Sequence, residues 1–433
     1  MIFYEIFFFT LTLFSFNIIY AQAWQTVGSH GLGNVADIIE YNGNIYIVGD
    51  IDEIGGVVMN HVAMWDGSSW TSLGSGLGEY GSCMGVYSNE LYVGGYFQTA
   101  GGISANKIAK WNGSTWSNVS TGLDMMLAPH DMETIENILY IGGSPDLACN
   151  TPKVNMVSWN GTSIETVSSG ELELISTSIV NGTVYSLSEY QGELYVAGYF
   201  DFVEGISCEG LLRWDGVNWA VLPSGHPTNF NLEVEFIAGK LTVADNSSGV
   251  SQWDGTSWVD YIAGWSGNGS TYAMIEYNST PVIGGAYNNV PYSLNSLGNW
   301  NPVGVMPGSI MINKMEIIEN ELYAVGRHYV DVNGNVEQRA LVMKWVGGPL
   351  SVDQKLSTQF VISPNPSSGI FTLEQPLAQS GKLTVYNLFG HIIFEKKIES
   401  TTTTFDLSRY NAGVYIVNIS HDMETYTKRI IVH

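Results

Sequence analysis

The sequence predicts an all-β protein built from two modules, and its composition is the first observation that leads there. Glycine accounts for 49 of the 433 residues, whereas charged residues make up only 13% and aromatic residues 12%. This composition favours many short strands and tight turns over long helices. A second observation is that short apolar segments recur through the first 350 residues, after which the pattern changes.

Charge is divided unevenly between the two modules. The chain has 16 basic and 41 acidic side chains, for a formal net charge of −25. Residues 351–433 contain seven of each sign, so residues 1–350 carry the other nine basic and 34 acidic side chains. Such an acidic excess argues against nucleic acid, an anionic membrane surface or a polyanionic ligand as the partner.

The first 23 residues are predicted to be a secretory signal peptide. An apolar run, Ile6–Tyr20, precedes Ala21-Gln22-Ala23, which is typical of a cleavage site between Ala23 and Trp24. Fifteen residues are fewer than the roughly 20 that a membrane helix needs. Glu5 and the lack of Lys or Arg before the run depart from the usual pattern. A buried strand and an uncleaved anchor are the alternatives, and no later stretch is long and apolar enough to span a bilayer.

Internal repeats predict the fold of the larger module. Seven copies of a Leu-Tyr-Val-Gly-Gly-like segment recur at intervals of about 40 to 55 residues, the range of β-propeller blades. A Trp-Asp/Asn-Gly-x-x-Trp motif follows several of them, at Trp65–Trp70, Trp111–Trp116, Trp214–Trp219 and Trp253–Trp258. Each copy divides into four short strands joined by Asn and Gly turns. Residues 24–348 are therefore predicted to form a seven-bladed β-propeller whose tryptophans pack between blades.

The start of this module is predicted to close the ring. Trp24-Gln25-Thr26-Val27-Gly28 matches the outer-strand pattern of the repeat, and the seventh copy ends at Trp345 without such a strand. Residues 24–28 should therefore supply the outer strand of the last blade, which removes exposed sheet edges. The repeats resemble the kelch and galactose-oxidase-like class of extracellular propellers. This resemblance implies a fold and no particular activity.

Residues 356–433, after a linker at 349–355, are predicted to form a small Ig-like β-sandwich. They also resemble the type A sorting domain of the Bacteroidetes type IX secretion system. The residues that carry the resemblance are Pro364, Asn365, Pro366, Gly369, Gly390, Asp406, Leu407, Ser408, Gly413, Tyr415 and Lys428. The resemblance implies partnership with the type IX machinery and a secreted or cell-surface location in a Gram-negative bacterium. It also implies removal of the domain, with release or attachment to lipopolysaccharide. His433 departs from the usual Lys ending, and an ordinary adhesive sandwich is the alternative.

Few motifs of known chemistry are present, and no cofactor or metal is predicted. The sequence lacks a phosphate-binding glycine motif, His-Glu-x-x-His and Gly-x-Ser-x-Gly. Asp331, Asn333 and Asn335 have the spacing of a calcium loop, but the required glycine and Glu are missing, so a hairpin turn is the better interpretation. No spacing identifies the Tyr, His and Cys set of a galactose-oxidase-like copper site.

Two of the three cysteines are candidates for a disulfide in an oxidising compartment. Cys149 and Cys208 fall in equivalent loops of adjacent blades, so they either bridge or remain two buried thiols. Cys83 begins an inner strand near the channel mouth.

The candidate ligand-binding residues are predicted to lie on one face of the propeller. The blade-to-blade connections and the second-to-third strand loops share a face, and this loop-rich face is where the histidines fall. They are His30, His61, His130, His226 and His328, together with Trp265. Imidazole and indole groups around a channel mouth can bind a glycan or hold a metal, although longer loops also collect more residues of every kind.

Three functions remain open at this point. The first is a non-catalytic binding or adhesion module for carbohydrate or protein, contacting its ligand through the loop-rich face. The second is an extracellular polysaccharide hydrolase or lyase that uses carboxylates, although no pair is singled out by spacing. The third is a structural surface-layer component. Catalysis predicts carboxyl or imidazole groups with shifted pKa values converging at the channel, whereas binding predicts an aromatic and amide-lined surface.

Overall fold

The computed structural model describes most of the chain after residue 23. The described residues are 24–119, 127–145, 155–167, 172–173, 182–200, 202–203, 206–222, 231–245, 249–260, 270–286, 291–294, 300–304, 306, 309–332, 335–346, 361–365, 367–374, 381–387, 392–398, 400–421 and 424–432. The predicted signal peptide and linker lie outside them. Two compact units are present, Met1–Val352 and Asp353–His433.

All regular elements of the described residues are β-strands. Those up to residue 119 are β1 (Trp24–Thr26), β2 (Gly31–Tyr41), β3 (Asn44–Ile54), β4 (Val57–Val58), β5 (Val62–Trp65), β6 (Trp70–Ser72), β7 (Gly81–Tyr87), β8 (Glu90–Gly95), β9 (Thr99–Ala100), β10 (Ile103–Ser104), β11 (Ile108–Trp111) and β12 (Trp116–Asn118). The next are β13 (Leu127–Ile135), β14 (Ile138–Pro145), β15 (Met156–Trp159), β16 (Ile164–Thr166), β17 (Leu172–Glu173), β18 (Thr183–Tyr190), β19 (Glu193–Tyr199), β20 (Phe202–Val203), β21 (Ile206–Ser207), β22 (Leu211–Trp214), β23 (Trp219–Val221), β24 (Asn231–Ile237), β25 (Lys240–Asp245), β26 (Val250–Trp253) and β27 (Trp258–Asp260). The larger unit continues with β28 (Thr271–Tyr277), β29 (Thr280–Gly285), β30 (Tyr292–Leu294), β31 (Trp300–Pro302), β32 (Ser309–Ile318), β33 (Glu321–Val332) and β34 (Asn335–Trp345). The smaller unit holds β35 (Val361–Ser363), β36 (Ile370–Glu374), β37 (Gly381–Tyr386), β38 (Ile392–Ile398), β39 (Thr402–Asp406), β40 (Gly413–His421) and β41 (Glu424–Val432).

In the larger unit the main strands pair into seven four-stranded antiparallel blades. Blades one to six are β2-β3-β5-β6, β7-β8-β11-β12, β13-β14-β15-β16, β18-β19-β22-β23, β24-β25-β26-β27 and β28-β29-β30-β31. Blade seven is β32-β33-β34 with β1 as its fourth strand, and the start of β2 also pairs with β34, at Gly31–Ala340 and Leu32–Arg339, so blades seven and one form one continuous sheet. The first strand of every blade contacts the first strand of the next, and β32 contacts β2, so these inner strands form a closed ring around a channel. The protein is thus an all-β, propeller-like molecule.

The predicted closure of the ring by the first strand is confirmed. Trp24 pairs with Trp345 and Thr26 with Met343, so β1 completes blade seven. The indole of Trp24 lies 5.5 Å from that of Trp345, and its Nε1 donates a hydrogen bond to the Val303 carbonyl of blade six at 2.8 Å. One side chain therefore fixes the last blade to the blade before it.

The same tryptophan contact recurs around the ring and explains the repeat motif. Outer-strand indoles donate across the blade boundary, Trp70 Nε1 to the Val27 carbonyl at 2.9 Å and Trp116 Nε1 to the Leu73 carbonyl at 2.8 Å. Both indoles are buried among apolar residues. Burial of a large ring together with a satisfied N–H makes Trp the favoured residue at this position.

The smaller unit consists of two sheets, β35-β36-β39 and β38-β37-β40-β41, around one hydrophobic core. Its motif residues hold this arrangement together. Gly369 adopts φ +118°, and a Cβ there would lie 2.4 Å from the Ser408 backbone, so only glycine fits. Asn365 Oδ1 accepts the N–H of Ile431 at 2.9 Å. Pro366, Gly390 and His433 lie outside the described residues.

The ring closure leads to the first testable prediction. Trp24→Ala should lower the free energy of unfolding by about 3–5 kcal/mol, because it removes a buried indole and leaves the Val303 carbonyl without its donor. Gln25→Ala, at an exposed position of the same strand, is the control and should change stability by less than about 0.5 kcal/mol. Urea unfolding followed by tryptophan fluorescence measures both, and equal losses would contradict the role of Trp24.

Candidate functional site

A β-bulge near the start of every inner strand builds the channel. The register of each inner strand slips by one residue at equivalent positions, and the extra residues are Ala36, Ser82, His130, Tyr185, Leu232, Tyr272 and Asn313. The residues that follow them are Asp37, Cys83, Asp131, Ser186, Glu233, Ala273 and Lys314. Bulges redirect side chains and are frequent next to functional sites. These seven residues are called the first layer below.

A second layer lies two residues further along each strand, because alternate residues share a face. It consists of Ile39, Gly85, Glu133, Ser188, Glu235, Ile275 and Glu316. Members of both layers line a cavity of about 280 Å³, which receives six carboxyl groups and one ammonium group. The carboxyl groups belong to Asp37, Asp131, Glu133, Glu233, Glu235 and Glu316, and the ammonium belongs to Lys314.

First-layer side chains connect neighbouring blades through the N–H groups that follow the bulges. Asp37 Oδ2 accepts from Met84 N at 2.6 Å, which joins blades one and two. Asp131 Oδ2 accepts from Leu187 N at 2.8 Å, and Ser186 Oγ accepts from the next blade in the same way. These groups therefore have a structural role. Asp37 and Asp131 also accept the N–H of the following residue on their own strands through Oδ1, and Glu133 and Glu235 in the second layer make the same local contact.

Lys314 is the cation of the cavity. Its Nζ lies 4.0 Å from Glu233 Oε1. Lys314 belongs to blade seven and Glu233 to blade five, and the first-layer residue of the blade between them is the small Ala273. The carboxylate of Asp131 raises the pKa of Lys314 well above its ordinary value, although burial opposes this, and Glu233 and Asp37 add to the rise. Lys314 therefore carries its charge throughout the physiological range.

Burial raises the pKa of the channel carboxyl groups toward neutrality. It raises the pKa of Asp37 to about 6 and that of Glu316 to about 7. The pKa of Glu133 and of Glu233 is raised to about 8, and that of Glu235 is also raised, again because burial disfavours the charged form. Several of these acids hold protons at pH 7 and can exchange them in the neutral range. Burial likewise raises the pKa of the Cys83 thiol, so its thiolate is disfavoured.

Aromatic residues lie at the loop-rich end of the channel, where the inner strands of blades two to four begin. The His130 and Tyr185 rings, at neighbouring bulges, have centroids 5.6 Å apart. His130 Nε2 lies 2.8 Å from Ser144 Oγ, which hydrogen-bonds Thr183 Oγ1 at 3.2 Å. Burial lowers the pKa of His130 to about 4, so its imidazole is neutral at pH 7.

Tyr80 and Tyr96 form a stacked pair on blade two. Their centroids lie 4.6 Å apart at an interplanar angle of 28°, and 42% of Tyr80 is exposed. The Tyr96 N–H donates to the Tyr80 carbonyl at 3.0 Å, one step beyond the Gly81–Gly95 pair of the ladder. Equivalent pairs on other described blades are Asn34–Asp50, Ala128–Ser144, Thr183–Tyr199, Ser270–Ala286 and Met311–Arg327. Because none of these has two rings, the repeat itself does not require the Tyr80–Tyr96 stack.

We call Tyr80, Tyr96, His130, Tyr185 and Tyr199 the aromatic arc. Only His130 among these five residues was predicted from the sequence. The four tyrosines were missed because the repeat already contains a core tyrosine in most copies, such as Tyr46 and Tyr92. Alignment of the seven inner strands would have distinguished the arc tyrosines, since they occupy positions without a repeat consensus.

The other predicted histidines are placed in different surroundings. His30 and His328 lie together where blade seven meets blade one, with ring centroids 6.2 Å apart. Burial lowers the pKa of His328, and His30 and Arg339 lower it further. His61 Nδ1 lies 3.6 Å from Asp50 Oδ1. The four of these histidines that the structure describes thus lie in different surroundings and do not form one cluster.

Several predicted residues cannot be placed. His226, Trp265 and Cys149 lie outside the described residues, as does Asn333 of the candidate calcium loop. Cys208, the predicted partner of Cys149, is buried in the core of blade four. Within the described ranges, no group of three or more His, Cys, Asp or Glu side chains is arranged to hold a metal ion. Helices long and apolar enough to cross a membrane are absent from that part of the chain.

Comparison with protein families identifies the smaller unit. Residues 361–433 match the family model described as the secretion system C-terminal sorting domain. This match confirms the type IX sorting domain that the sequence predicted. The protein is therefore secreted or displayed at the cell surface, and its C-terminal domain engages the secretion machinery.

Comparison with individual proteins yields more distant relatives. The chain is 27% identical over 211 residues to the ulvan lyase NLR42 of Nonlabens ulvanivorans, which is 45% of this chain and 39% of that protein. The chain thus matches well under half the length of this curated relative.

Two solved structures are similar in fold. One is the extracellular domain of a hybrid two component system from B. thetaiotaomicron, at 12% identity and a TM-score of 0.51, covering 86% of this chain and 47% of that one. The other is a streptogramin B lyase, at 9% identity and a TM-score of 0.50, covering 73% and 97%.

The channel acids predict that stability falls between pH 6.5 and 8.5. The pKa of Glu133 and Glu233 is about 8 in the folded protein, whereas an unfolded Glu titrates near its ordinary value of 4.5. A raised carboxyl pKa means that the folded state binds protons more tightly, so stability declines as pH rises through the folded pKa. His130 acts weakly in the opposite direction at the lower end of this window, because its folded imidazole is already neutral whereas an unfolded His, with an ordinary pKa of 6.5, is still half protonated at pH 6.5.

Urea unfolding at the two pH values measures this decline. The double variant Glu133→Gln, Glu233→Gln should show a smaller difference, because it removes two of the groups responsible. Glu136→Gln is the control at an exposed turn position and should keep the full difference. Equal or greater stability of the unsubstituted protein at pH 8.5 would contradict the assignment.

Proposed function

We propose that the protein is a non-catalytic binding module, exported to the cell surface or medium, that holds carbohydrate on the aromatic arc. The Tyr80–Tyr96 stack is the observation that carries this proposal. Tyr80 is exposed and Tyr96 is half-buried, a backbone hydrogen bond joins the two residues, and the repeat does not require their stack. Exposed aromatic rings that structural packing does not explain favour a binding role.

The chemistry of the arc fits a sugar ring. A pyranose presents an apolar C–H face and a rim of hydroxyl groups, so it needs a flat apolar surface beside hydrogen-bonding groups. Tyrosine provides both in one side chain. Ser144 and Thr183 add hydroxyl groups beside His130 and Tyr185. A few polar groups in a mainly aromatic surface are typical of small-ligand sites.

A polysaccharide-degrading enzyme is the second candidate function. The observation that favours it is the group of channel carboxyl groups with pKa values between about 6 and 8, where a general acid or base works best. Similarity to a protein named ulvan lyase also supports this candidate. If it is correct, a retained polymer should be shortened by the protein, with a pH optimum near neutrality, and Glu133→Gln should abolish the reaction without abolishing retention.

Retention on insoluble polysaccharides tests the proposed function. The full chain should be retained on at least one polymer of a panel, and Tyr80→Ala should reduce the association constant by roughly tenfold, since a stacking contact contributes about 1 kcal/mol or somewhat more. Val217→Ala, at an exposed position in the turn between strands β22 and β23, is the control. Retention that is unchanged in Tyr80→Ala and Tyr96→Ala, or no retention on any polymer, would contradict the proposal.

A further inference from the structure

The surroundings of the Tyr80–Tyr96 stack are acidic, and this bears on the kind of sugar that the stack selects. Glu79 precedes Tyr80 in the chain and is exposed. Asp50 lies at the matching end of the second strand of blade one, with 67% of its side chain exposed. A Cβ on Gly81 would lie 2.1 Å from Val48 Cγ2, so the start of β7 packs directly on β3. Asp50 is two residues beyond Val48 on this strand, and Tyr80 directly precedes Gly81.

The electrostatic effect on Tyr80 agrees with this placement. Burial is the main reason that the pKa of the Tyr80 phenol is raised, and Asp50 and Glu79 raise it further. Both carboxylates thus act on the hydroxyl end of the ring. The Nδ1 atom of His61 lies 3.6 Å from Asp50 Oδ1. We call Tyr80, Tyr96, Asp50 and Glu79 the Tyr80 notch.

We propose that the Tyr80 notch binds the protonated amine of an amino-sugar polymer, an inference that rests on the proposed carbohydrate-binding function. A cation is attracted to the face of a tyrosine ring, and neighbouring carboxylates strengthen the attraction. A 2-amino sugar carries an apolar ring face and an ammonium group on adjacent atoms. It can therefore stack on Tyr80 and place its charge between Asp50 and Glu79 at the same time.

The alternative source of an ammonium group is a lysine side chain of a protein partner. Lysine provides the charge at the end of a flexible stem and has no ring to stack on Tyr80. The stacked pair therefore favours the amino sugar. The Asp50 and Glu79 carboxylates also disfavour uronate or sulfate groups at this position, because like charges repel.

Two oligosaccharides that differ only in the amine provide the test. Binding of a glucosamine hexamer and an N-acetylglucosamine hexamer to the full chain is measured by calorimetry at pH 6. The glucosamine hexamer should bind roughly 3- to 30-fold more tightly, the range expected for a cation over an aromatic ring. Tyr80→Ala should weaken both, whereas Asp50→Asn with Glu79→Gln should remove only the advantage of the free amine.

A matched control separates the notch from the overall charge of the protein. Glu136→Gln with Glu319→Gln makes the same change in net charge at exposed turns on the opposite face, and it should keep the preference. Loss of the preference in this control would overturn the assignment to the notch. Equal binding of the two hexamers, or equal binding of a tetralysine peptide and the glucosamine hexamer, would overturn the amino-sugar proposal. Retention of other polymers in that case would leave the proposed function standing, whereas failure of every polymer would remove both.

Discussion

Each inner strand contains a β-bulge, and the N–H group that follows it needs a hydrogen-bond acceptor outside its own ladder. A buried N–H without a partner is costly, so an acceptor must come from elsewhere. Asp37, Asp131 and Ser186 supply it to the inner strands of blades two, four and five, and Asp37 and Asp131 also accept the equivalent N–H of their own strands. The bulge also directs the next side chain into the channel. The joining of blades and the polarity of the channel are therefore consequences of one backbone feature.

This arrangement places acids inside the ring, and their burial then limits how many of them are charged. Lys314 offsets part of their charge, and burial keeps protons on several of the others at neutral pH. The channel thus combines structural carboxylates with acids that exchange protons near pH 7. Residues on the loop-rich side of each bulge are subject to neither constraint. They need not accept the N–H that follows the bulge, and their charge is not limited by burial in the channel. That freedom allows blade two to carry the Tyr80–Tyr96 stack, whereas none of the equivalent pairs on the other described blades has two aromatic rings.

Much of the fold could be predicted from the sequence, because the repeat specifies local strands and turns. The Trp motif predicted the packing between blades, and Trp24-Gln25-Thr26 predicted ring closure by matching an outer strand. The channel could not be predicted in this way. Its first layer varies from Asp to Cys, Ser, Ala and Lys, so no motif marks it, and only the common bulge shows that these positions are equivalent. The aromatic arc was predicted only at His130, since tyrosines are frequent throughout the repeat.

Hydroxyl-radical footprinting with mass spectrometry reports whether the aromatic arc is the ligand-binding surface. The full chain is oxidised with and without a polysaccharide that retains it, and the oxidation of each aromatic residue is compared. If the arc binds the polymer, Tyr80 and Tyr96 should be strongly protected, with little change at Trp253 and Trp258 near the opposite turns. Protection confined to those turns, with Tyr80 oxidised equally in both samples, would contradict this role of the arc.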